Sequence, residues 1–183
     1  MRMYPSLGKF VDPSAAVSHF HLREGDVVAD FGAGSGHYMR PLSRAVGSTG
    51  LVYLCDIQKN LVDSLGIKAR DERVTNARPI WCDMEKPGGT KLADGLLDAG
   101  LLSNTLFQIQ DKSTALLEIA RVIRKGGKLF IIDWSDSYGG LGPQPKDVLI
   151  ESEARTLLER AGFTVEGTFP AGEHHYGLAC RKQ

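Results

Sequence analysis

A glycine-rich stretch at residues 30–36, Asp-Phe-Gly-Ala-Gly-Ser-Gly, directly follows the short apolar run 27–29. Glycine has no Cβ, so the backbone there can approach a ligand closely and adopt conformations that other residues avoid. The next segment, 37–46, predicts a helix, and the first N–H groups of a helix lack partners within it. The pattern therefore predicts a strand–loop–helix unit that binds a ligand through Gly32, Ala33, Gly34 and Gly36.

The spacing of the glycines and an adjacent acid indicate which ligand this loop binds. A dinucleotide fingerprint places its third glycine three residues after the second. Here that position is His37, and the third glycine is Gly36, which argues against a nicotinamide enzyme. Asp30, just before the turn, would repel a pyrophosphate but suits a cationic amino group. S-adenosylmethionine carries an ammonium and a sulfonium and no phosphate, so the loop predicts this cofactor.

Two further acids stand where predicted strands end. Asp56 follows the second predicted strand, where a carboxylate can accept both ribose hydroxyls of a nucleoside. Its alternative role is to cap the next helix. Asp83 follows the third strand and could accept from an adenine amino group, or it could simply form a turn. Ile57 and Met84, which directly follow these acids, are assigned to the same cofactor site.

The remaining elements alternate regularly along the chain. Strands are predicted at 27–29, 51–55, 79–82, 97–102, 128–132, 163–169 and 176–181, and helices at 12–22, 37–46, 61–70, 114–123 and 151–160. Strands that alternate with helices imply right-handed crossovers and a parallel sheet covered on both faces. Only about six residues separate the last two strands, so these must pair antiparallel. The fold class is therefore α/β, a Rossmann-like doubly wound seven-stranded sheet, mostly parallel with the last strand antiparallel.

Composition bounds the class of protein. The 183 residues contain 42% apolar residues, with 22 basic and 22 acidic side chains, which excludes a disordered chain and gives no strong nucleic-acid signal. No apolar run reaches the length of a membrane span, so a cytoplasmic protein is expected. One domain is predicted over 1–183, with an N-terminal helical segment (1–22) and a core (23–183). Three dispersed cysteines predict small buried side chains, and no metal site.

Several motifs together resemble one family. They are the stretch 28–36 (Val-Ala-Asp-Phe-Gly-Ala-Gly-Ser-Gly), Asp56, Asp83, the stretch 101–104 (Leu-Leu-Ser-Asn) and the stretch 121–129 (Arg-Val-Ile-Arg-Lys-Gly-Gly-Lys-Leu). With them the chain resembles the class I S-adenosylmethionine-dependent methyltransferases, especially the short type 11 members similar to quinone-biosynthesis C-methyltransferases. The resemblance implies that Asp30 and the glycines hold the methionine part of the cofactor. It assigns Asp56 to the ribose, Asp83 to the adenine, and Asn104 to a place beside the cofactor.

The acceptor side is predicted from the rule that ligands of open parallel sheets bind outside the carboxyl ends of the strands. The rule selects Asn104 after the fourth strand, Asp133 and Trp134 at the end of the fifth, and the connection 170–175 after the sixth. His174 and His175 in that connection could orient an acceptor or take its proton, or they could be structural. His37 and Tyr38 could line the site as well.

Three other side chains with chemical potential are assigned elsewhere. His19 and His21 are expected on the surface, and Trp81 is expected in the core.

The sequence leaves the methyl acceptor open between a small molecule and a protein, and it leaves the oligomeric state open. In-line methyl transfer depends mainly on positioning, so a catalytic signature is not required. The alternatives are a non-catalytic module that binds S-adenosylmethionine or S-adenosylhomocysteine, an arsenite-type methyltransferase and an aminopropyl transferase. The last would need extra acids for a polyamine. Only 1–18 and 135–146 are left over to cover the active site.

Overall fold

The computed structural model describes residues 11–138, 140 and 142–183. Seven strands run along the chain: β1 Val27–Phe31, β2 Leu51–Asp56, β3 Ala77–Trp81, β4 Leu97–Ser103, β5 Ile123–Trp134, β6 Phe163–Thr168 and β7 His175–Lys182. The helices are α1 Pro13–Ser18, α2 Met39–Val46, α3 Lys59–Asp71, α4 Lys112–Val122 and α5 Glu151–Arg160. Short 3₁₀ turns follow β4 at Leu106–Gln108 and precede α5 at Pro145–Asp147.

The seven strands form one sheet in the order β3-β2-β1-β4-β5-β7-β6. Strands β1 to β5 pair in parallel, whereas β7 is antiparallel to both β5 and β6. The predicted fold class and the reversed last strand are confirmed. The strand order changes direction between β1 and β4, and a crevice opens at such a switch point outside the carboxyl ends of the strands.

Apolar side chains cover both faces of the sheet, which is why the central strands are nearly continuous apolar runs. Neighbouring strand residues point to opposite faces, so Phe31 and Ile131 belong to one buried cluster and Val28 and Phe130 to the other. Packing of these two layers holds the strands in place, and with them the strand ends that border the crevice.

Most elements differ from their predicted bounds by one or two residues, and two differ by more. The first helix ends at Ser18, well before residue 22, because Phe20 turns inward and stacks on Phe130 at 4.0 Å between ring centroids. Strand β5 begins at Ile123, and its register with β4 shifts between Ile123 and Lys128. Gly127 lies in this irregular stretch, where a Cβ would lie 2.7 Å from the Ile123 side chain and 2.8 Å from the Arg124 carbonyl oxygen.

The prediction that Trp81 lies in the core is wrong. The residue is half-buried because β3 is an edge strand of the sheet. Its indole nitrogen donates to the Ile57 carbonyl at 2.7 Å, and the Lys91 ammonium lies 4.2 Å from the ring centroid.

Other side-chain predictions are confirmed. His19 and His21 are exposed, and Cys55, Cys82 and Cys180 are buried free thiols. Within the described residues, no helix has the length and apolarity that crossing a membrane requires.

Candidate functional site

A pocket of about 590 Å³ occupies the crevice above β1, β2 and β4. Its size falls within the range of small-molecule sites. Nine of the ten residues predicted to bind the cofactor line it: Asp30, Gly32, Ala33, Gly34, Asp56, Ile57, Asp83, Met84 and Asn104. The tenth, Gly36, is not among the lining residues.

The glycine loop is fastened to the end of the neighbouring strand. The carbonyl oxygen of Cys55 accepts from the N–H groups of Gly32 at 2.8 Å and Ala33 at 2.9 Å. Gly34 donates its N–H to Asp56 Oδ2 at 2.9 Å. The loop and Asp56 therefore form one rigid wall of the pocket, although 22 residues separate Gly34 from Asp56.

The three glycines of the loop are required for different reasons. A Cβ on Gly32 would lie 2.5 Å from Thr105 Oγ1, and one on Gly36 would lie 2.5 Å from Leu65 Cδ2. A Cβ on Gly34 would meet only the Gly32 carbonyl oxygen, at 3.9 Å, and would otherwise project into the open pocket. Only Gly34 thus matches the expectation of close backbone approach to a ligand, whereas Gly32 and Gly36 allow close packing within the protein.

Asp30 is buried, with 2% of its surface exposed, and its Oδ2 atom has no hydrogen-bond partner. Burial, and secondarily the nearby Asp56 carboxylate, raise the pKa of Asp30 to about 7. An unpartnered carboxylate oxygen in such a place is costly for the free protein. A ligand ammonium would supply both the missing hydrogen bond and the opposite charge, so the site fits the amino group of S-adenosylmethionine.

Asp56 is held by hydrogen bonds from two backbone N–H groups, and it does not itself cap α3, whose N-cap residue is Gln58. Its Oδ1 accepts from the Gln58 N–H at 2.9 Å, just before α3, while its Oδ2 accepts from Gly34. Each carboxylate oxygen has a further lone pair, so the buried Asp56 can also accept from ribose hydroxyls. These two contacts hold the carboxylate in place, and the assignment of Asp56 to the ribose stays a prediction.

Asn104 lines the pocket directly after β4, and its backbone conformation is unusual. Its φ of 52° lies in the left-handed region, which few residues other than glycine adopt. Its N–H donates to the Ile132 carbonyl at 2.8 Å, while its Oδ1 is buried without a partner. Strain combined with an unpartnered acceptor is typical of a functional position.

Uncharged side chains make up much of the remaining pocket lining. Tyr38 is buried, and its phenolic oxygen accepts from the Ser103 hydroxyl at 3.2 Å. Burial raises the pKa of Tyr38 to about 12, so the phenol keeps its proton at neutral pH. His37, Gln108 and Ile109 also line this side, and no lysine or arginine lines the pocket among the residues that the structure describes.

The three predicted catalytic residues lie together, but outside the pocket lining. The Trp134 and His175 rings lie 4.2 Å apart, and His174 Nδ1 lies 3.0 Å from Asp136 Oδ1. Burial lowers the pKa of His175 to about 4, so this ring is neutral near neutral pH and is a weak base. A role for Trp134, His174 and His175 at the acceptor stays a prediction.

Sequence reasoning left eleven lining residues unassigned: Val11, Pro13, Ser35, Gln58, Leu61, Cys82, Glu85, Ser103, Thr105, Gln108 and Ile109. Several directly flank predicted residues, so adjacency to a strand end was an available signal. Val11 and Pro13 come from the segment 1–18, which was expected to be free to cover the active site, although no local pattern marked these two residues. Glu85 brings the lining carboxylates to four, with Asp30, Asp56 and Asp83. The extra acids that seemed missing for an aminopropyl transferase are therefore partly present.

No metal site accompanies this pocket in the described ranges, where no three His, Cys, Asp or Glu side chains gather as ligands.

Comparison with known proteins identifies the family. The profile of a methyltransferase domain, type 11, matches residues 29–131. This range starts within β1 and ends within β5, and it contains the glycine loop, Asp56, Asp83 and Asn104. The matched range is more than half of the 183 residues.

Two similar curated proteins from different bacteria have the same name. The ubiquinone/menaquinone biosynthesis C-methyltransferase UbiE of Chromobacterium violaceum is 33% identical over 122 residues, which cover 67% of this chain and 48% of that protein. The protein of the same name from Haemophilus ducreyi is 31% identical over 115 residues, covering 62% of this chain and 43% of that protein. The chain thus spans about half the length of the curated relatives that it matches.

A solved structure matches the chain over nearly its whole length. The S-adenosylmethionine-dependent methyltransferase from Aquifex aeolicus is 29% identical, with a TM-score of 0.88, and the match covers 98% of this chain and 94% of that one. The glycine loop, its flanking acids and these similarities agree on both cofactor and fold. The chain belongs to the type 11 family of S-adenosylmethionine-dependent methyltransferases.

Proposed function

We propose that this methyltransferase transfers the methyl group to a carbon atom of a small, uncharged acceptor of the hydroquinone class. The main support for placing the cofactor in the pocket is Asp30, because its buried Oδ2 has no partner and fits the ammonium of the methionine part. Asp56 would then accept from the ribose and Asp83 from the adenine. When bound, S-adenosylmethionine supplies an electrophilic methyl group on a sulfonium.

The lining of the pocket supports an uncharged acceptor. With Asp30, Asp56 and Asp83 assigned to the cofactor, no lysine or arginine among the described lining residues is left to pair with a carboxylate or phosphate on the acceptor. Tyr38 receives a hydrogen bond from Ser103, so its own proton remains available for an oxygen of the acceptor. The UbiE relatives, named C-methyltransferases of quinone biosynthesis, support a ring carbon as the methylated atom.

The proposed reaction is an in-line displacement. A π electron pair of the electron-rich ring would form the new bond to the methyl carbon as the methyl–sulfur bond breaks and its electron pair stays on sulfur, and the methylated ring carbon would then release its proton to water. The residues of this chain contribute mainly by holding the two reactants close and aligned. Hydrogen bonding from Tyr38 to a ring oxygen would fix the angle of the ring.

The test uses cofactor carrying a labelled methyl group and three acceptors: a methyl-free hydroquinone, the same ring bearing a carboxylate, and a mixture of cell proteins. We expect label on a ring carbon of the hydroquinone, identified by NMR, and little label on the carboxylated ring. The variant Tyr38→Phe should lower kcat/KM for the hydroquinone by about tenfold, the size of one lost hydrogen bond to substrate.

Three outcomes would contradict the proposal. Label in the protein fraction would indicate a protein acceptor, and preference for the carboxylated ring would overturn the electrostatic argument. Tight binding of S-adenosylmethionine without transfer to any of the three acceptors would favour a non-catalytic binding module.

A further inference from the structure

The connection 83–92 between β3 and β4, here called the β3–β4 loop, forms one side of the pocket. Its first residues, Asp83, Met84 and Glu85, are lining residues. Asp83 is buried, and its carboxylate forms an ion pair with Lys86 at 2.8 Å. The position of this loop therefore decides where Asp83 stands in the cofactor site.

The carboxylate of Glu118, on α4, binds the β3–β4 loop through hydrogen bonds. Glu118 is only 3% exposed, and it accepts from the N–H groups of Gly88 at 2.9 Å and Thr90 at 3.1 Å and from the Thr90 hydroxyl at 2.6 Å. Arg121 donates to it through Nε at 2.9 Å and Nη2 at 2.7 Å. A buried charge is tolerated when it is paired and hydrogen-bonded as fully as this one is.

Glu118 stays ionised near neutral pH. Burial by itself raises its pKa, but hydrogen bonds from Arg121 and Thr90, with those from the loop N–H groups, outweigh burial and hold the pKa at about 2. The loop is thus always held by an ionised carboxylate near neutral pH.

Direct backbone contacts connect Glu118 to Asp83. The two residues that Glu118 binds, Gly88 and Thr90, flank Gly89, and the Gly89 carbonyl accepts from the Asp83 N–H at 3.1 Å. A Cβ on Gly89 would lie 2.0 Å from the Asp83 carbonyl oxygen, so these two backbones are in close contact. A shift of Gly88 or Thr90 would therefore be passed directly to Asp83.

We propose that Glu118 is a positioning residue for the nucleoside end of the cofactor, acting through Gly88–Thr90 on Asp83. It is absent from the pocket lining and acts only through the loop. The proposal rests on the placement of the cofactor given under Proposed function, with the adenine beside Asp83, and not on the identity of the acceptor.

The test is binding, measured by calorimetry, of S-adenosylhomocysteine and of 5′-methylthioadenosine, which lacks the amino-acid part. Glu118→Gln keeps the size of the side chain but places an amide NH₂ against donors of the loop. We expect both ligands to bind about tenfold more weakly, because both contain the adenosine that the loop contacts. The amides of Gly88 and Thr90 should also exchange their hydrogens faster. Thr90→Val, which removes one hydroxyl, should weaken both ligands in the same direction by a smaller factor.

Asp98→Asn is the matched control. Asp98 also accepts from a backbone N–H, that of Val27 at 2.8 Å, and from an arginine, Arg124 at 2.7 Å, but it lies at the amino end of β4, away from the pocket. This variant should lower Tm and leave both affinities unchanged.

The possible outcomes separate the two hypotheses. Unchanged affinities in Glu118→Gln and Thr90→Val, with weakened binding in Asp83→Ala, would overturn the role of Glu118 alone. Unchanged affinities in Asp56→Ala and Asp83→Ala would overturn the placement of the cofactor itself. Equal weakening in Asp98→Asn and Glu118→Gln would indicate a general loss of stability and would overturn the positioning role.

Discussion

The carboxylate of Asp30 lies in a pocket that holds it half protonated near neutral pH. Its pKa in the folded protein, about 7, lies above the ordinary value of 3.8. The fold thus favours the neutral form, and the stability that this preference contributes is fully present below about pH 4 and is lost as the pH rises to about 7. A cationic ligand reverses the preference, because it pairs with the ionised form.

We expect the affinity for S-adenosylmethionine to increase as the pH rises from 6 to 7.5, because more of Asp30 is ionised. Above about pH 8 the ligand amino group itself loses its proton, so the increase should stop there. Asp30→Asn should remove this pH dependence and weaken binding about tenfold or more, since a charged hydrogen bond is lost. The same variant should raise the Tm of the ligand-free protein at pH 8.

Calorimetry across this pH range, in buffers of different ionisation enthalpy, measures both affinity and proton release. An affinity that is constant from pH 6 to 7.5 in the wild type would remove Asp30 from the binding site.

The glycine loop allows packing and ligand contact to be separated by two matched variants. Gly34→Ala places a methyl group in the pocket and should weaken S-adenosylhomocysteine binding at least about tenfold. Gly36→Ala places it 2.5 Å from Leu65 Cδ2 and should chiefly lower Tm. Both positions have positive φ, 53° and 74°, so the conformational cost of about 1 kcal/mol is shared. Normal binding by a folded Gly34→Ala would mean that Gly34 serves only the turn.

At the scale of elements, the start of β7 and the residue before it contact the end of β5 and the segment that follows it. His175 packs on Trp134, and the ring of His174 stacks on Tyr138 at 3.9 Å between centroids. Both nitrogens of the His175 ring are buried without hydrogen-bond partners. This contact is therefore apolar in character, and it is sensitive to the charge of His175.

We expect protonation of His175 to destabilise the fold. Its folded pKa of about 4 lies below the ordinary 6.5, so its contribution to stability is present above pH 6.5 and is lost as the pH falls from 6.5 to 4. His175→Phe should therefore show a smaller fall in Tm over this interval than the wild type does. His19→Gln, at an exposed position, is the control and should follow the wild type. Parallel Tm profiles for His175→Phe and the wild type would contradict the assignment.

At the scale of the whole molecule, the N-terminal segment is part of the second apolar layer. Phe20 is 1% exposed and stacks on Phe130, and its ring meets Phe169 edge-on at 5.4 Å. Lys128 also donates to the Phe20 carbonyl at 3.1 Å. The same segment supplies Val11 and Pro13 to the pocket, so its packing on the apolar core also positions part of the ligand site.

Phe20→Ala should lower the free energy of unfolding by about 3–5 kcal/mol, the usual cost of removing a buried phenyl ring. Denaturant titration measures the change. Leu117→Ala, at a residue that is 57% exposed on α4, should change it by less than about 0.5 kcal/mol. A loss in Phe20→Ala as small as that expected for Leu117→Ala would show that the N-terminal segment does not depend on Phe20 for its packing.

Several features followed from local patterns in the sequence. The alternation of apolar runs with breakers predicted all seven strands, and the short connection between the last two predicted the reversed β7. The spacing GxGxG after Asp30 predicted the cofactor and one wall of the pocket, because a strand, a loop and a helix consecutive in the chain form that wall. Such inferences succeed where the residues that interact are neighbours in sequence, or lie at the ends of strands whose order follows a rule.

Only the tertiary structure decided the features that depend on distant contacts. Gly32 and Gly36 have to be glycine because a Cβ would collide with Thr105 and Leu65, respectively, and both of these lie in other parts of the chain. The contact of Glu118 with Gly88 spans 30 residues, and that of Ser103 with Tyr38 spans 65. Periodicity reports which face a side chain occupies but not its partner across the fold. The sequence by itself therefore determined the family, the fold and the cofactor, while three-dimensional packing decided which side chains position the site.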